Sequence, residues 1–556
     1  MYKPDQPLIV QSDRTVLLET AAPAFEEARN CLSVFAELVK SPEHIHTYRL
    51  SPLSLWNAAA LGVDADTIKG QLETYSKYPV PGNILADVDE YLERYGRLKL
   101  IREDGKLFLT SVDEILLKEV CCQRSVQPYI IGQVSPERVE VIGEQRGFIK
   151  QALIKVGFPV EDLAGYIEGE SLEVSLREEM LQGGEFKLRA YQEEAVGAFY
   201  AGGEVQGGSG VVVLPCGAGK TVVGMGAMDR VKAHTLILTT NTTALRQWRD
   251  EILDKTTLTE EQLGEYSGTR KEIKEVTLTT YQILTYRKSK NGPFTHFKLF
   301  DEGNWGLIIY DEVHLLPAPV FRAVANLQSR RRLGLTATLV REDRKEEEVF
   351  SLIGPKKYDV PWRVLEKQGF IATAVCTEVR IAFADDDLRL EYALAESNRK
   401  FRLAATNPAK LTVLRKLLEE HSEDQVLVIG QYLDQLNDVA KLTGTPVITG
   451  QTPQSMRDKL FEAFRTRSIP RLVVSKVANF AVDLPDANVA IQISGTFGSR
   501  QEEAQRLGRI LRPKKNKNND ARFYSLVTRD SNEQDFSSKR QLFLAEQGYR
   551  YEIVTV

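Results

Sequence analysis

Cysteine is scarce in this chain: Cys31, Cys121, Cys122, Cys216 and Cys376 are all there are, and no two stand in CxxC spacing. That excludes an ordinary four-cysteine zinc or iron–sulfur site, and an odd, scattered set suits a reducing compartment. Histidine is nearly as thin, with six residues. His44 and His46 flank Ile45 and read as surface residues rather than metal ligands. No apolar run approaches the roughly 18 residues of a membrane span, and the N-terminal MYKPDQPLIVQSDRT lacks the basic-then-apolar order of a signal peptide. A soluble, cytoplasmic protein without a membrane partner is expected. Neither sign of charge dominates, with 72 Lys plus Arg against 77 Asp plus Glu and a net charge of −5. A histone-like polybasic binder is excluded, but nucleic acid binding is not, because a local basic track suffices.

The 556 residues are 42% hydrophobic and 27% charged, enough for roughly three to four domains with cores of their own. The first third contains no glycine-rich phosphate loop. Residues 14–40 and 50–75 carry apolar positions at mixed three- and four-residue spacing, which predicts packed helices. KYPVPGN is a break, 84–99 reads as a helix, and RLKLIREDGKLFLTS reads as a hairpin turning at Asp104-Gly105. The runs QPYIIGQVS and RVEVIGE read as strands, followed by a helix near 146–156. A mainly helical accessory domain over 1–98 and a mixed α/β domain over 99–182 are expected. From 186 the pattern changes to short apolar runs alternating with helical segments: GVVVLP, TLILTT, VTLTTY, GLIIYDE and RRLGLTAT. It resumes with QVLVIGQ, PVITG, RLVVSK, NVAIQIS and FYSLVT. Such alternation predicts parallel sheets covered on both faces, in two α/β lobes over 183–365 and 366–556.

VVVLPCGAGKT at 211–221 is a strand running into a loop of small residues and then a helix. Pro215, Cys216, Gly217, Ala218 and Gly219 would let backbone N–H groups curl around phosphates. Lys220 would reach the β- and γ-phosphates and Thr221 would ligate Mg²⁺. The strict phosphate loop opens on a glycine where this chain has Leu214. A second element, GLIIYDEVH at 306–314, is an apolar strand ending in two adjacent carboxylates, which rarely occurs without a cation to hold them. Asp311 would hold Mg²⁺, and Glu312 would orient and deprotonate the attacking water. Order and separation from Lys220 suit an ATPase. A third element, QEEAQRLGRILRPKK at 501–515, clusters Arg506, Arg509 and Arg512 on one helix face. In isolation such a face reads as solvated, yet an arginine from a facing lobe can stabilise the transferring phosphoryl group.

These elements stand in the order of superfamily 2 helicases, and the intervening sequence resembles that superfamily too. LRAYQEEA resembles the adenine-reading Q motif, which would put Arg189 and Gln192 at the base. TTNTTALRQW at 239–248 resembles motif Ia, TTYQ at 279–282 the next nucleic-acid motif, and LTATLVRED at 335–343 carries the motif III triplet Thr336-Ala337-Thr338. VLVIGQYLDQL resembles motif IV, and SKVANFAVDLPDANVAIQIS resembles motif V, placing Asp483 at the ribose. Gln505, Arg509 and Arg512 then belong to motif VI, with catalytic roles. The forms LPCGAGKT, DEVH, SKVANFAVDLPDANV and GSRQEEAQRLGRILRPK narrow the resemblance to XPB-type helicases, whose loop shares the Leu214 departure. HTYRLSPLSLWNAAALG is similar to the accessory domain of microbial members.

The resemblance implies two RecA-like lobes, ATP and Mg²⁺ as cofactors, 3′-to-5′ DNA unwinding in repair or transcription, and single-stranded or forked DNA as partner with a nuclease or repair protein beside it. It makes 99–182 a damage-recognition-like domain, 366–405 the candidate for a thumb-like insertion, and Arg341-Glu342-Asp343 a strand-separating motif. DNA would be contacted by Thr240, Asn241, Arg246, Thr279, Thr280 and Tyr281, with Trp248 read as a core anchor. A duplex translocase without unwinding, an RNA helicase and an ATP-gated scaffold acting through a protein partner stay open as alternatives.

Overall fold

The computed structural model describes the chain except residues 1, 41–43, 61, 164–168, 201–207, 216, 288–294, 297–298, 300–302, 316–330, 338–352, 355, 361, 476–486, 496–519 and 547–548. Its contacts divide it into two compact units, Met1–Val213 with Gly219–Asp359, and Leu214–Ala218 with Val360–Val556.

The first unit opens with β1 (Leu8–Val10), β2 (Thr15–Glu19), α1 (Phe25–Phe35), β3 (Glu37–Lys40), β4 (Ile45–Arg49), α2 (Pro52–Ala60), α3 (Ala65–Tyr75) and α4 (Gly82–Arg94). The strands form an antiparallel sheet in the order β1-β2-β4-β3. The helical expectation for 14–40 therefore holds only for α1. In Thr15–Glu19 burial alternates residue by residue, burying Val16 and Leu18, and a period of two decides for strand once a partner strand is present. The same alternation corrects the surface reading of His46: it is a buried β4 residue whose ring meets Phe25 edge-on at 5.3 Å.

Next come β5 (Leu98–Glu103), β6 (Lys106–Thr110), α5 (Glu114–Cys121), β7 (Ile130–Ser135), β8 (Arg138–Val141), α6 (Arg146–Lys155) and β9 (Val160–Asp162). They form one sheet in the order β7-β8-β6-β5-β9. The β5–β6 hairpin turns at Asp104-Gly105, both left-handed at φ 48° and 78°, the backbone that a two-residue turn of this hand needs. Asp162 is buried against Arg146 and Lys150.

The remainder of this unit is α7 (Ala190–Tyr200), β10 (Ser209–Val213), α8 (Lys220–Val231), β11 (Thr235–Thr239), α9 (Thr242–Lys255), β12 (Leu263–Tyr266), β13 (Val276–Thr280), α10 (Tyr281–Leu284), β14 (Leu307–Asp311), β15 (Arg331–Thr336) and β16 (Lys356–Asp359). The strands pair all-parallel in the order β12-β13-β11-β14-β15-β10-β16. β11, β13 and β14 are buried almost throughout, as a sheet covered on both faces requires. The outermost strand, β16, packs against α1, and the Tyr358 hydroxyl donates to Glu194 of α7 at 2.9 Å. Leu53 of α2 joins the buried cluster that includes Val211, Leu236 and Ile308.

The second unit repeats the plan with β17 (Thr373–Ile381), β18 (Val426–Ile429), β19 (Val447–Ile448), β20 (Arg471–Val474), β21 (Val489–Gln492), β22 (Asp520–Thr528) and β23 (Arg550–Thr555). They are parallel in the order β19-β20-β18-β21-β22-β17-β23. The 366–405 candidate insertion contains β17 and two helices, Asp386–Leu394 and Ser397–Ala405. Lys410 and Glu533, both fully buried, form an ion pair at 2.8 Å inside this unit, and Lys410 also donates to the Ile493 carbonyl. Among the described residues, no helix is long and apolar enough to cross a membrane.

Candidate active site

In open parallel sheets ligands gather beyond the strand C-termini, and the chemistry-bearing residues of the first lobe stand there. Past β10, the Ala218 N–H donates to the Pro215 carbonyl at 3.1 Å. Gly217 and Gly219 take left-handed φ of 81° and 79°, a conformation glycine adopts without penalty. A Cβ at Gly219 would lie 2.6 Å from Gln192 Nε2, so a side chain there would also displace the Gln192 amide. α8 follows directly, so its first N–H groups face the loop, the arrangement that favours an anion. Thr221 sits half-buried in its first turn. Cys216 lies outside the described residues.

Lys220 forms an ion pair with Glu312 across the sheet, Nζ to Oε1 at 2.6 Å. Glu312 follows the end of β14 with φ 48°, a backbone that a non-glycine residue adopts only when its surroundings impose it. Burial opposes its ionisation, but the Lys220 and His314 charges outweigh this and hold it below the usual glutamate range. Its neighbour Asp311 goes the other way: burial, then the Glu312 charge, pushes it up to about 6. Asp311 Oδ2 accepts from Trp248 Nε1 at 3.0 Å, and its carbonyl accepts from the Tyr281 hydroxyl at 2.8 Å. His314 is buried, with Nδ1 2.6 Å from Thr336 Oγ1, so the DEVH segment is bonded to the motif III strand.

This donor set fits a divalent cation held with a nucleotide. Among the described residues no group of three or more metal-ligating side chains exists. Asp311 and Thr221 could supply the sparse protein share expected when phosphates and water complete the shell.

Family models match most of the chain. Residues 365–556 match the ERCC3/RAD25/XPB C-terminal helicase, and 185–341 match the res subunit of type III restriction enzymes. Residues 8–135 match a model described as helicase conserved C-terminal domain, although this stretch holds antiparallel pairings rather than a parallel lobe. The DNA 3′-5′ helicase XPB of Kineococcus radiotolerans is 54% identical over 99% of this chain and 96% of its own length. That of Mycobacterium tuberculosis is 53% identical over 98% and 97%. A transcription and DNA repair factor IIH helicase/translocase subunit XPB from Enterocytozoon bieneusi is 34% identical over 99% and 93%.

The chain belongs to the XPB family of helicases. ATP use follows from that membership.

Several site residues of this XPB-family chain make hydrogen bonds within the lobe. Gln192 is buried, its Oε1 accepts from the Arg189 backbone N–H at 3.0 Å, and Arg189 Nη1 donates to the Tyr191 hydroxyl. The pair thus braces the start of α7 beside Gly219. Asn241 caps α9, accepting from the Thr243 and Ala244 N–H groups at 3.0 Å each, and its Nδ2 donates to Thr240. Arg246 is exposed on α9. Thr279, Thr280 and Tyr281, by contrast, are buried. Thr279 Oγ1 donates to the Tyr266 carbonyl and Tyr281 to that of Asp311, so these side chains are spent inside the lobe.

Trp248, expected as a core anchor, is buried as expected and also bonds the Asp311 carboxylate. Sequence gave no signal for that second role, because an indole N–H has no motif of its own. His314 was visible only as the last letter of DEVH. Arg341, Glu342, Asp343, Asp483, Gln505, Arg509 and Arg512 lie outside the described residues.

Proposed function

We propose that this chain is an ATP-dependent DNA helicase or translocase of XPB type, moving 3′ to 5′ and opening DNA in repair or transcription. The observation that carries the reading is the Lys220–Glu312 pair with Asp311 beside it, a phosphate-reaching ammonium after β10 and two carboxylates at the end of β14, with β15 between the two strands. In this reading Lys220 and the α8 N-terminus bind the phosphates, and Asp311 and Thr221 hold Mg²⁺, which would neutralise phosphate charge when bound. Glu312 takes the proton of the attacking water, and Asp483 and Arg189–Gln192 bound the nucleoside. Gln505, Arg509 and Arg512 of the motif VI segment stabilise the charge of the transferring phosphoryl group.

The DNA backbone meets Thr240, Asn241 and Arg246, while the buried Thr279–Tyr281 segment supports them. With few phosphates engaged, binding weakens in salt. The regions 1–98 and 99–182 serve as accessory and DNA-testing domains, with a nuclease or repair protein as partner in the cytoplasm, and Arg341-Glu342-Asp343 separates the strands.

The test is ATPase activity without nucleic acid and with single-stranded, forked or duplex DNA or RNA, with Lys220→Ala as the blank. Stimulation by DNA that vanishes in the variant supports the reading, whereas indifference to every nucleic acid sinks it. The match of 185–341 to a restriction subunit favours one second reading, duplex translocation without unwinding. Stimulation by plain duplex equal to that by forks, with no strand release, would select it.

A further inference from the structure

Two rings from two different segments converge on Asp311. Trp248 lies on α9, the helix capped by Asn241 and bearing Arg246, and its indole donates to the Asp311 carboxylate at 3.0 Å. Tyr281 opens α10, directly after β13, and its hydroxyl donates to the Asp311 carbonyl at 2.8 Å. Both rings are buried, at 2% and 3% exposure, so neither can reorient without moving its helix. The indole also passes so close to α8 that a Cβ on Gly224 would lie 2.5 Å from Trp248 Cη2. The glycine therefore leaves the passage from α9 to Asp311 open. Thr239 Oγ1 donates to the Thr279 carbonyl at 3.1 Å, binding the two strand ends that lead into these segments. A hydrogen bond at 3.0 Å is lost with a shift of half an ångström or so, so small movements of α9 are felt at the carboxylate.

We infer that Trp248 and Tyr281 are positioning residues through which DNA bound at α9, with the β13–α10 segment supporting it from within the lobe, sets Asp311 for the metal-bound nucleotide. The inference rests on the DNA and nucleotide assignments proposed above. It gives the lobe a route from DNA to nucleotide site that lies wholly within the lobe. Each ring holds a different atom of Asp311, so the two contributions are separable.

The test is equilibrium binding of a fluorescent, non-hydrolysable ATP analogue with Mg²⁺ to the full chain, with and without a single-stranded oligonucleotide. The ratio of the two dissociation constants is the coupling, which for linked sites is typically about 5–150-fold. Trp248→Phe and Tyr281→Phe keep an aromatic ring and remove the donor. Each is expected to cut the ratio by about fivefold, the worth of roughly one hydrogen bond. Ile252→Val, a buried position on the same helix, is expected to keep the wild-type ratio. Full coupling in both phenylalanine variants overturns the inference, as does an equal loss in Ile252→Val, which would make it a matter of α9 packing. A ratio of one in the wild type overturns the underlying DNA–nucleotide reading instead. Tyr281→Phe stands as the test if Trp248→Phe fails to fold.

Discussion

Glu312→Gln separates binding from turnover, and the geometry sets both magnitudes. Lys220 and Glu312 are paired at 2.6 Å with their side chains 13% and 22% exposed. A hydrogen bond to a charged group is worth about 1.5–3 kcal/mol, and partial solvation places this pair near the lower end. Nucleotide phosphates compete with Glu312 for the same ammonium. An amide at 312 no longer holds that ammonium by charge, which returns about 1.4 kcal/mol to nucleotide binding, or roughly tenfold in Kd. The same change removes the proton acceptor for the attacking water, and loss of a general base costs about 10²–10⁴ in rate. The expected variant therefore binds a fluorescent ATP analogue more tightly than wild type while DNA-stimulated phosphate release nearly stops. Turnover within tenfold of wild type would remove Glu312 from its catalytic role. Weaker nucleotide binding would show that the Lys220 pair does not compete with phosphate, and the reasoning from its geometry would fail.

Gly219→Ala is expected to abolish nucleotide binding, because the loop is left-handed there and a Cβ meets Gln192; isothermal titration measures it, and an unchanged Kd would contradict the cradle. Lys410→Met leaves Glu533 charged and buried, at a cost of about 3–5 kcal/mol. In a lobe of this size that lowers its melting temperature by roughly 6–20 °C in calorimetry of the full chain; a drop under about 2 °C would refute it. Asp162 is held well below the usual carboxylate range: burial opposes ionisation, and Lys150 and Arg146 outweigh it. A depressed carboxylate contributes stability above its unfolded pKa of about 4, and that contribution is lost as pH falls further. The melting-temperature gap between wild type and Asp162→Asn should thus be widest at pH 7 and shrink below about pH 4; a gap constant with pH would argue against it.

The central strands of both lobes were legible because burial on both faces writes them as continuous apolar runs. VVV in β10, TLILT in β11 and VLVI in β18 are examples. Of the four outermost strands only β19, within PVITG, was legible. LGEY in β12, KKYD in β16 and RYEIVT in β23 are polar, half-exposed and short of apolar pattern, as sheet edges are. β2 was misread for a different reason: five residues are too few for period two to overrule a longer helical spacing around them. In the proposed site, Lys220, Asp311 and Glu312 stood out because phosphate chemistry fixes residue type and order, and the fold brings Lys220 and Glu312 into contact. The internal duties of Gln192, Thr279 and Tyr281 were hidden, since a motif states which residue recurs and not which way it faces. Trp248 shows the converse, a residue correctly assigned to the core whose one polar atom does something further.

The packing of α1 on β16 bears on how the motor can be taken apart. β16 is the outermost strand of its sheet, and a bare outer strand offers unpaired amides and carbonyls to any passing chain. Here a helix from the first hundred residues lies against it, and Leu53 extends the lobe's own buried cluster. A fragment begun at the phosphate-loop lobe would keep every ATP-site residue yet expose that strand and a patch of its core. Self-association of such a fragment would come from the missing cover and would say nothing about the oligomeric habit of the whole chain. The N-terminal region thus belongs to the motor's solubility as much as to any partner it recruits.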